Sequence, residues 1–337
     1  MTEYAAAFDV VRVTLVVGVV LSMLVYERTQ LTTGGAIVPA YLALSILRPL
    51  AVAVTIGFGY LTHLVVTKVI VPRRILFGRR RFEVEVLVGV SFVLLGSAVA
   101  ARAGTLDSHL TALAGIGFLV PGIIAHDMGR QRPGRTVFAV AATTLVLAAF
   151  TRMYAGLIDL VPGASESASI HVASVLGYPR ELLLLGVATS VLVGMVVYSR
   201  LGLRSGGFVT AAYVALVGPR WWDLGFTLVV AVLTWAIVVK LLMPRVIIFG
   251  RRKLSSMVLV GSIVAWSVES LLTWISHGDY VPWRGLTVAT LMVPALIAND
   301  AERQGWERTV WGTTLTSVGV YAVGCAGGAL AAWMGWL

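Results

Sequence analysis

The chain has 337 residues, of which 58% are hydrophobic and only 12% charged, with 35 glycines and a net charge of +10. Soluble domains carry about 25% charged residues, and disordered chains combine low hydrophobicity with high charge, so both classes are excluded and a polytopic all-α membrane protein is expected. The single Cys325 excludes a disulfide framework, a cysteine-ligated zinc site and a CxxC redox pair.

The first ten residues hold Glu3 and Asp9 and no lysine or arginine, unlike the basic start of a secretory signal, so a retained N-terminus is expected. Apolar stretches long enough to span a bilayer follow at Phe8–Tyr26, Pro49–Val71, Val84–Ala101 and Thr136–Ile158. Four more lie at Glu181–Tyr198, Trp221–Met243, Leu254–Ile275 and Thr309–Met334. Between them are four shorter stretches, Gly35–Leu47, Leu110–Ala125, Ser205–Gly218 and Gly285–Ala298, three of which contain a proline: Pro39, Pro121 and Pro294. Proline removes a helical hydrogen bond and clashes with the preceding turn, so these segments are expected to be broken.

From Tyr26 to Arg81 the chain matches itself at an offset of 172. Arg28 falls on Arg200, Gly34-Gly35 on Gly206-Gly207, Tyr41 on Tyr213, Lys68 on Lys240, and Phe77-Gly78-Arg79-Arg80-Arg81 on Phe249-Gly250-Arg251-Arg252-Lys253. The match resumes at 173, with Pro121 on Pro294, Asp127 on Asp300, Arg130-Gln131 on Arg303-Gln304, and Arg135-Thr136-Val137 on Arg308-Thr309-Val310. Apolar composition cannot put arginines and glycines in register over such lengths, so a tandem duplication is expected. It comprises a first membrane repeat over 1–158, an external linker over 159–180 and a second repeat over 181–337. A weaker likeness of Gly35–Ala43 to Gly117–Ala125 suggests that each half is built from two triplets of long, short and long segments.

If the short segments cross, each half crosses six times and 19 of the 26 basic residues fall on one side. If they are re-entrant, the split is 14 against 12. The positive-inside rule favours twelve crossings, with the arginine-rich loops cytoplasmic and both termini outside. The two triplets of a half are then inverted, an arrangement found in secondary transporters, where interrupted segments flank a midplane site. A proline kink that only improves packing is the plainer alternative for Pro39 and Pro121.

No phosphate loop, HExxH or GxSxG motif occurs, and no catalytic, cofactor or metal site is expected. The loops carrying Arg73, Arg79, Arg80 and Arg81, and then Arg251 and Arg252, offer forked donors for carboxylates or phosphates. Their alternative reading is charge that fixes orientation and touches anionic lipid. Asp127 with Arg130, and Asp300 with Arg303, are spaced for an intrahelical pair or a polar gate. Glu269, deep in an apolar stretch, and His63 are intramembrane ionisable groups, each a candidate coupling site or a packed polar residue. Arg12 is spaced to pair with Asp9 one turn earlier, and Lys68 and Lys240 lie near a helix end, where they can snorkel.

The segments Tyr26-Glu27-Arg28-Thr29, Gly34-Gly35-Ala36-Ile37-Val38-Pro39-Ala40-Tyr41, Phe77–Phe82, Val120–Ala125 and Arg130-Gln131 resemble the PgsC/CapC family, a membrane component of bacterial poly-γ-glutamate synthase. Members of that family are about half as long as this chain, so the resemblance is to two fused copies. The second copy departs at Ser199, at Thr210-Ala211 and at Ala295, which makes the first half the better place for a working site. The resemblance implies a non-catalytic, multi-pass subunit of the bacterial cell membrane. Its implied partners are a separate ATP-dependent amide ligase, other synthase subunits, poly-γ-glutamate and membrane lipid, with no nucleic acid. Substrate or partner contacts are then expected from Glu27, Arg28, Pro39, Tyr41, Pro121 and Tyr213 besides the charged residues above. The alternatives from the residues alone are a secondary transporter of a small anion and a membrane scaffold without transport.

Overall fold

The computed structural model describes residues 8–103, 116–159, 180–207, 209–248, 250–283 and 286–333. It divides into two compact units, Met1–His171 and Val172–Leu337. The predicted external linker lies almost wholly outside the described residues, as does Phe249.

The N-terminal unit holds α1 (Phe8–Thr29), α2 (Val38–Leu44), α3 (Pro49–Val65, continued by a π-helical turn at Val66–Ile70), α4 (Gly78–Ala103), α5 (Val120–Arg130) and α6 (Pro133–Asp159). The C-terminal unit holds α7 (Arg180–Leu201), α8 (Thr210–Val217), α9 (Trp221–Trp235, with a π-helical stretch at Ala236–Leu242), α10 (Arg251–Ile275), α11 (Thr287–Gln304) and α12 (Trp306–Trp333). No strand occurs among the described residues, and seven of these helices are long and apolar enough to cross a membrane. The protein is a polytopic all-α membrane protein.

The short helices differ from the expected broken spans. Pro39 and Pro121 sit in the first turns of α2 and α5, where the missing N–H would have had no helical acceptor. The interruption therefore lies ahead of each proline, and only Pro294 is inside a helix. The seven residues of α2 rise about 10 Å, far less than the roughly 30 Å of a hydrocarbon core.

Contacts nevertheless show that the short segments run from one end of the unit to the other. Ser22 donates to the Ala36 carbonyl and Gly18 packs on Ala40, so α2 is antiparallel to α1. Gly34 meets Val140 while Ala40 lies level with Leu147, both touching Gly18, so α2 is parallel to α6. The Ile116 amide bonds Thr55 and Gly59 packs on Ile124, which makes α5 parallel to α3, and Gly89 against Gly122 makes it antiparallel to α4. The segment 30–48 thus starts level with the end of α5 and delivers the chain to the opposite end, at Pro49. Exchanging the triplet α1–α3 with α4–α6 maps the α1/α2 and α2/α6 contacts onto the α4/α5 and α5/α3 contacts.

Lipid tails are as apolar as leucine, so close packing and hydrogen bonds must hold such a bundle together. A Cβ on Gly122 would stand 2.6 Å from the Val86 Cα, and one on Gly89 2.6 Å from the Gly122 amide nitrogen. Two bare backbones are in contact there. Val38, Leu42, Val120, Ile124, Met128 and Val140 form the core around the two short helices, with Tyr41 packed against it.

Candidate functional site

The most regular polar structure is a clamp on the chain entering the first short helix of each unit. Gly34 and Gly35 have φ of +76° and +93°, and Gly206 and Gly207 have +74° and +106°, values that L side chains rarely adopt. The tight loop they form exposes amide and carbonyl groups that need partners. The Gly35 amide donates to Asp127 Oδ2 at 3.1 Å, while Gln131 Oε1 accepts from the Thr32 amide and Gln131 Nε2 donates to the Thr32 carbonyl and to Thr136 Oγ1. In the C-terminal unit Gly206 donates to Asp300 Oδ2, again at 3.1 Å, and Gln304 makes the same two backbone bonds with Arg204 and one with Thr309. The Asp/Gln pair lies at i,i+4, on one helix face. Asp127 is buried and Arg130 exposed, and the aspartate holds the glycine loop.

Beside this clamp the two units differ. The sequence reading puts Arg79–Arg81 in a loop, but they form the first turn of α4, where Arg79 Nε reaches Glu83 at 2.7 Å and Arg81 Nε reaches Glu85 at 2.9 Å. Pairing at i,i+4 lets the helix begin inside the arginine run. Both glutamates are buried, and the second oxygen of Glu85 lies 2.6 Å from His126 Nδ1, with His126 packed on Phe82. In the C-terminal unit Ser255 and Met257 stand at the places of Glu83 and Glu85, Asn299 at that of His126 and Trp235 at that of His63. Glu302, at the position of Gly129, pairs with Lys253 in their stead.

The C-terminal unit has its own polar cluster at the opposite end. Asp223 is fully buried at the start of α9 and accepts from Tyr280 Oη at 2.6 Å and from the Trp283 amide, with Arg220 Nε 3.1 Å from its second oxygen. Trp283 Nε1 donates to the Asp223 carbonyl and to Thr227, and the Trp283 ring packs near Tyr213. Burial and the adjacent carboxylate push the Tyr280 phenol above its ordinary range.

Among the other expected site residues, Glu27, Arg28, Arg73, Arg80, Arg252 and Arg303 are exposed. Arg73 and Arg245 each donate to the carbonyl four residues back, closing the helix end. The side chain of Arg251 lies outside the described residues. Glu269 is buried, as expected, and Arg12 pairs with Asp9 at 3.1 Å. Lys240 stands over the Trp235 ring. The structure therefore brings together Asp127, Gln131 and the Gly34-Gly35 loop, and separately Arg81, Glu85 and His126. Sequence reasoning passed over Glu83, Glu85 and Asp223, although Arg79/Glu83 and Arg81/Glu85 carry the i,i+4 signal. Among the described residues, no three His, Cys, Asp or Glu side chains converge as metal ligands do.

A family model described as Capsule biosynthesis CapC matches this chain twice, over residues 17–137 and 189–310. The capsule biosynthesis protein CapC of Bacillus anthracis is 33% identical over 139 residues, which cover 41% of this chain and 89% of that protein. The PGA biosynthesis protein CapC of Bacillus subtilis (strain 168) is 29% identical over 142 residues, covering 42% of this chain and 92% of its own length. No solved structure matches.

Proposed function

This chain belongs to the capsule biosynthesis CapC family, and from that premise we propose that it is an integral membrane subunit of a poly-γ-glutamate synthesis and export complex. It docks the ATP-dependent ligase, handles the anionic polymer, or both. The observation that carries the reading is the double family match, each copy enclosing the same Asp/Gln clamp on a Gly-Gly loop. We read the two matches as two fused family units in the bacterial cell membrane, with the arginine-bearing ends in the cytoplasm and both termini outside. Exposed Arg74 and Arg80 in the N-terminal unit, and exposed Arg245 and Arg252 in the C-terminal unit, then each offer positive charge to an acidic partner or polymer.

The test is co-expression of the chain with the neighbouring ligase, scoring membrane-associated polymer and ligase co-purification. Replacing those four arginines with glutamine is expected to lower both. Unchanged values for both would overturn the docking and polymer-handling roles.

A second reading, a secondary transporter of a small anion, draws support from the short segments that run end to end through the unit behind non-helical stretches. Anion uptake by the purified chain alone in liposomes would favour it over the first.

A further inference from the structure

Position 129 is where one unit holds a carboxylate and the other holds none. In the C-terminal unit the Glu302 carboxylate rests on Lys253 Nζ, the two side chains being 20% and 12% exposed. The internal register that places Arg81 on Lys253 places Gly129 on Glu302. In the N-terminal unit the Arg81 guanidinium lies over this glycine, and a Cβ there would stand 2.6 Å from Nη2.

Arg81 spends only Nε on Glu85. Glu85 is sealed, with 1% of its side chain exposed, and its other oxygen is held by His126. It fixes the guanidinium from behind and cannot swing round to cover its outer face. Among the described residues the Nη groups of Arg81 meet no acceptor, while Arg81 is 29% exposed and Gly129 is exposed. Exposed Arg80 and Arg130 add positive charge nearby. A guanidinium held on one edge, with its paired N–H groups open, suits a carboxylate bound through two parallel hydrogen bonds.

We propose that Arg81, over the bare backbone of Gly129, binds a carboxylate of an external polyanion, at the place the C-terminal unit fills with its own Glu302. The identity of the ligand, a γ-linked glutamate chain, rests on the polymer-handling reading above; the site itself rests on the comparison of the two units.

The test uses the full chain in nanodiscs of zwitterionic lipid, titrated with a fluorescent γ-linked glutamate oligomer. Gly129→Glu supplies the carboxylate that the other unit carries, and Arg81 needs only to shift its flexible end to admit it. This variant is expected to melt like the wild type and to bind about tenfold or more weaker, as is Arg81→Gln. Gly129→Ala sets its methyl against the same nitrogen without adding charge, so it reads the steric part alone, and Gly129→Glu is expected to bind about fivefold or more weaker than Gly129→Ala. Wild-type binding by Gly129→Glu, a loss in Gly129→Ala equal to that in Gly129→Glu, or no binding by the wild type would each overturn the site. If replacing the exposed arginines abolishes polymer output while Gly129→Glu still binds like wild type, the site fails and the membrane-subunit reading stands. If the oligomer binds at Arg81 but cells make polymer without the chain, the site stands and that reading fails.

Discussion

At the junction of α4 with α5 the N-terminal unit sets Arg81, Glu85, His126 and Gly129; at the junction of α10 with α11 the C-terminal unit sets Lys253, Met257, Asn299 and Glu302. Each arrangement gives its cation one acid partner, drawn from the same helix in the first case and from the facing helix in the second. The adjoining Asp/Gln clamp recurs in both: the glutamine makes the same two backbone bonds, while the aspartate accepts from the second glycine of the loop in the N-terminal unit and from the first in the C-terminal unit. The backbone geometry of the loop therefore needs its partners in both units. The charge pairing beside it can be relocated, and relocation changes what is left open to the outside.

The sharpest way to break this comparison is to remove the acid from one unit. Glu85→Met copies the C-terminal unit and strands Arg81 and His126 without their shared carboxylate. A loss of about 3 kcal/mol is expected, from two charge-assisted hydrogen bonds removed at once. Adding Gly129→Glu to that variant copies the whole alternative arrangement and should recover most of the loss. A double-mutant cycle in thermal or denaturant unfolding reads the coupling; strict additivity would show that the two acids are not interchangeable. Next in size is the clamp: Asp127→Ala and Asp300→Ala each leave a glycine amide without its charged acceptor. Each should cost about 2 kcal/mol in the same unfolding experiments. A large effect in one unit with none in the other would undo the claim that the clamp is common to both.

Much of the fold was legible because hydropathy and the offset of 172 residues are properties of the chain itself. The predicted span Pro49–Val71 became α3 with its π-helical turn, and Thr136–Ile158 became α6 with a one-turn extension. The π-helical turns themselves have no sequence signature; they show as the Val71 amide bonding Val66 and the Met243 amide bonding Val238, at i to i+5. Asp127 and Gln131 were found by recurrence, but their partners lie 92 and 99 residues away and only the fold brings them together. Glu85 and Asp223 were missed for the opposite reason. A search for residues that match between the two halves of the sequence discards Glu85, which aligns with Met257, and Asp223, which aligns with Ala51. Those differences are where the two units acquire separate chemistry.

The smallest expected effect concerns how closely the helices approach. Gly122 and Ala295 occupy equivalent places after the proline, and each faces a glycine, Gly89 or Gly261. In the C-terminal unit the extra methyl is already accommodated, although a Cβ on Gly261 would lie 2.7 Å from the Ala295 Cβ. In the N-terminal unit a Cβ on Gly122 would strike the Val86 Cα at 2.6 Å and the Glu85 carbonyl at 3.0 Å, both backbone atoms that cannot rotate away. Gly122→Ala must therefore push α4 from α5, and overpacking of this kind costs about 1 to 3 kcal/mol. Because Glu85 and His126 sit on those same two helices, the displacement should also lengthen their 2.6 Å contact. The reverse change, Ala295→Gly, removes one methyl and is expected to cost about 1 kcal/mol or less in unfolding experiments. Equal losses from the two substitutions would mean that both helix pairs relax alike, and that the closer approach in the N-terminal unit plays no part in holding Glu85 against His126.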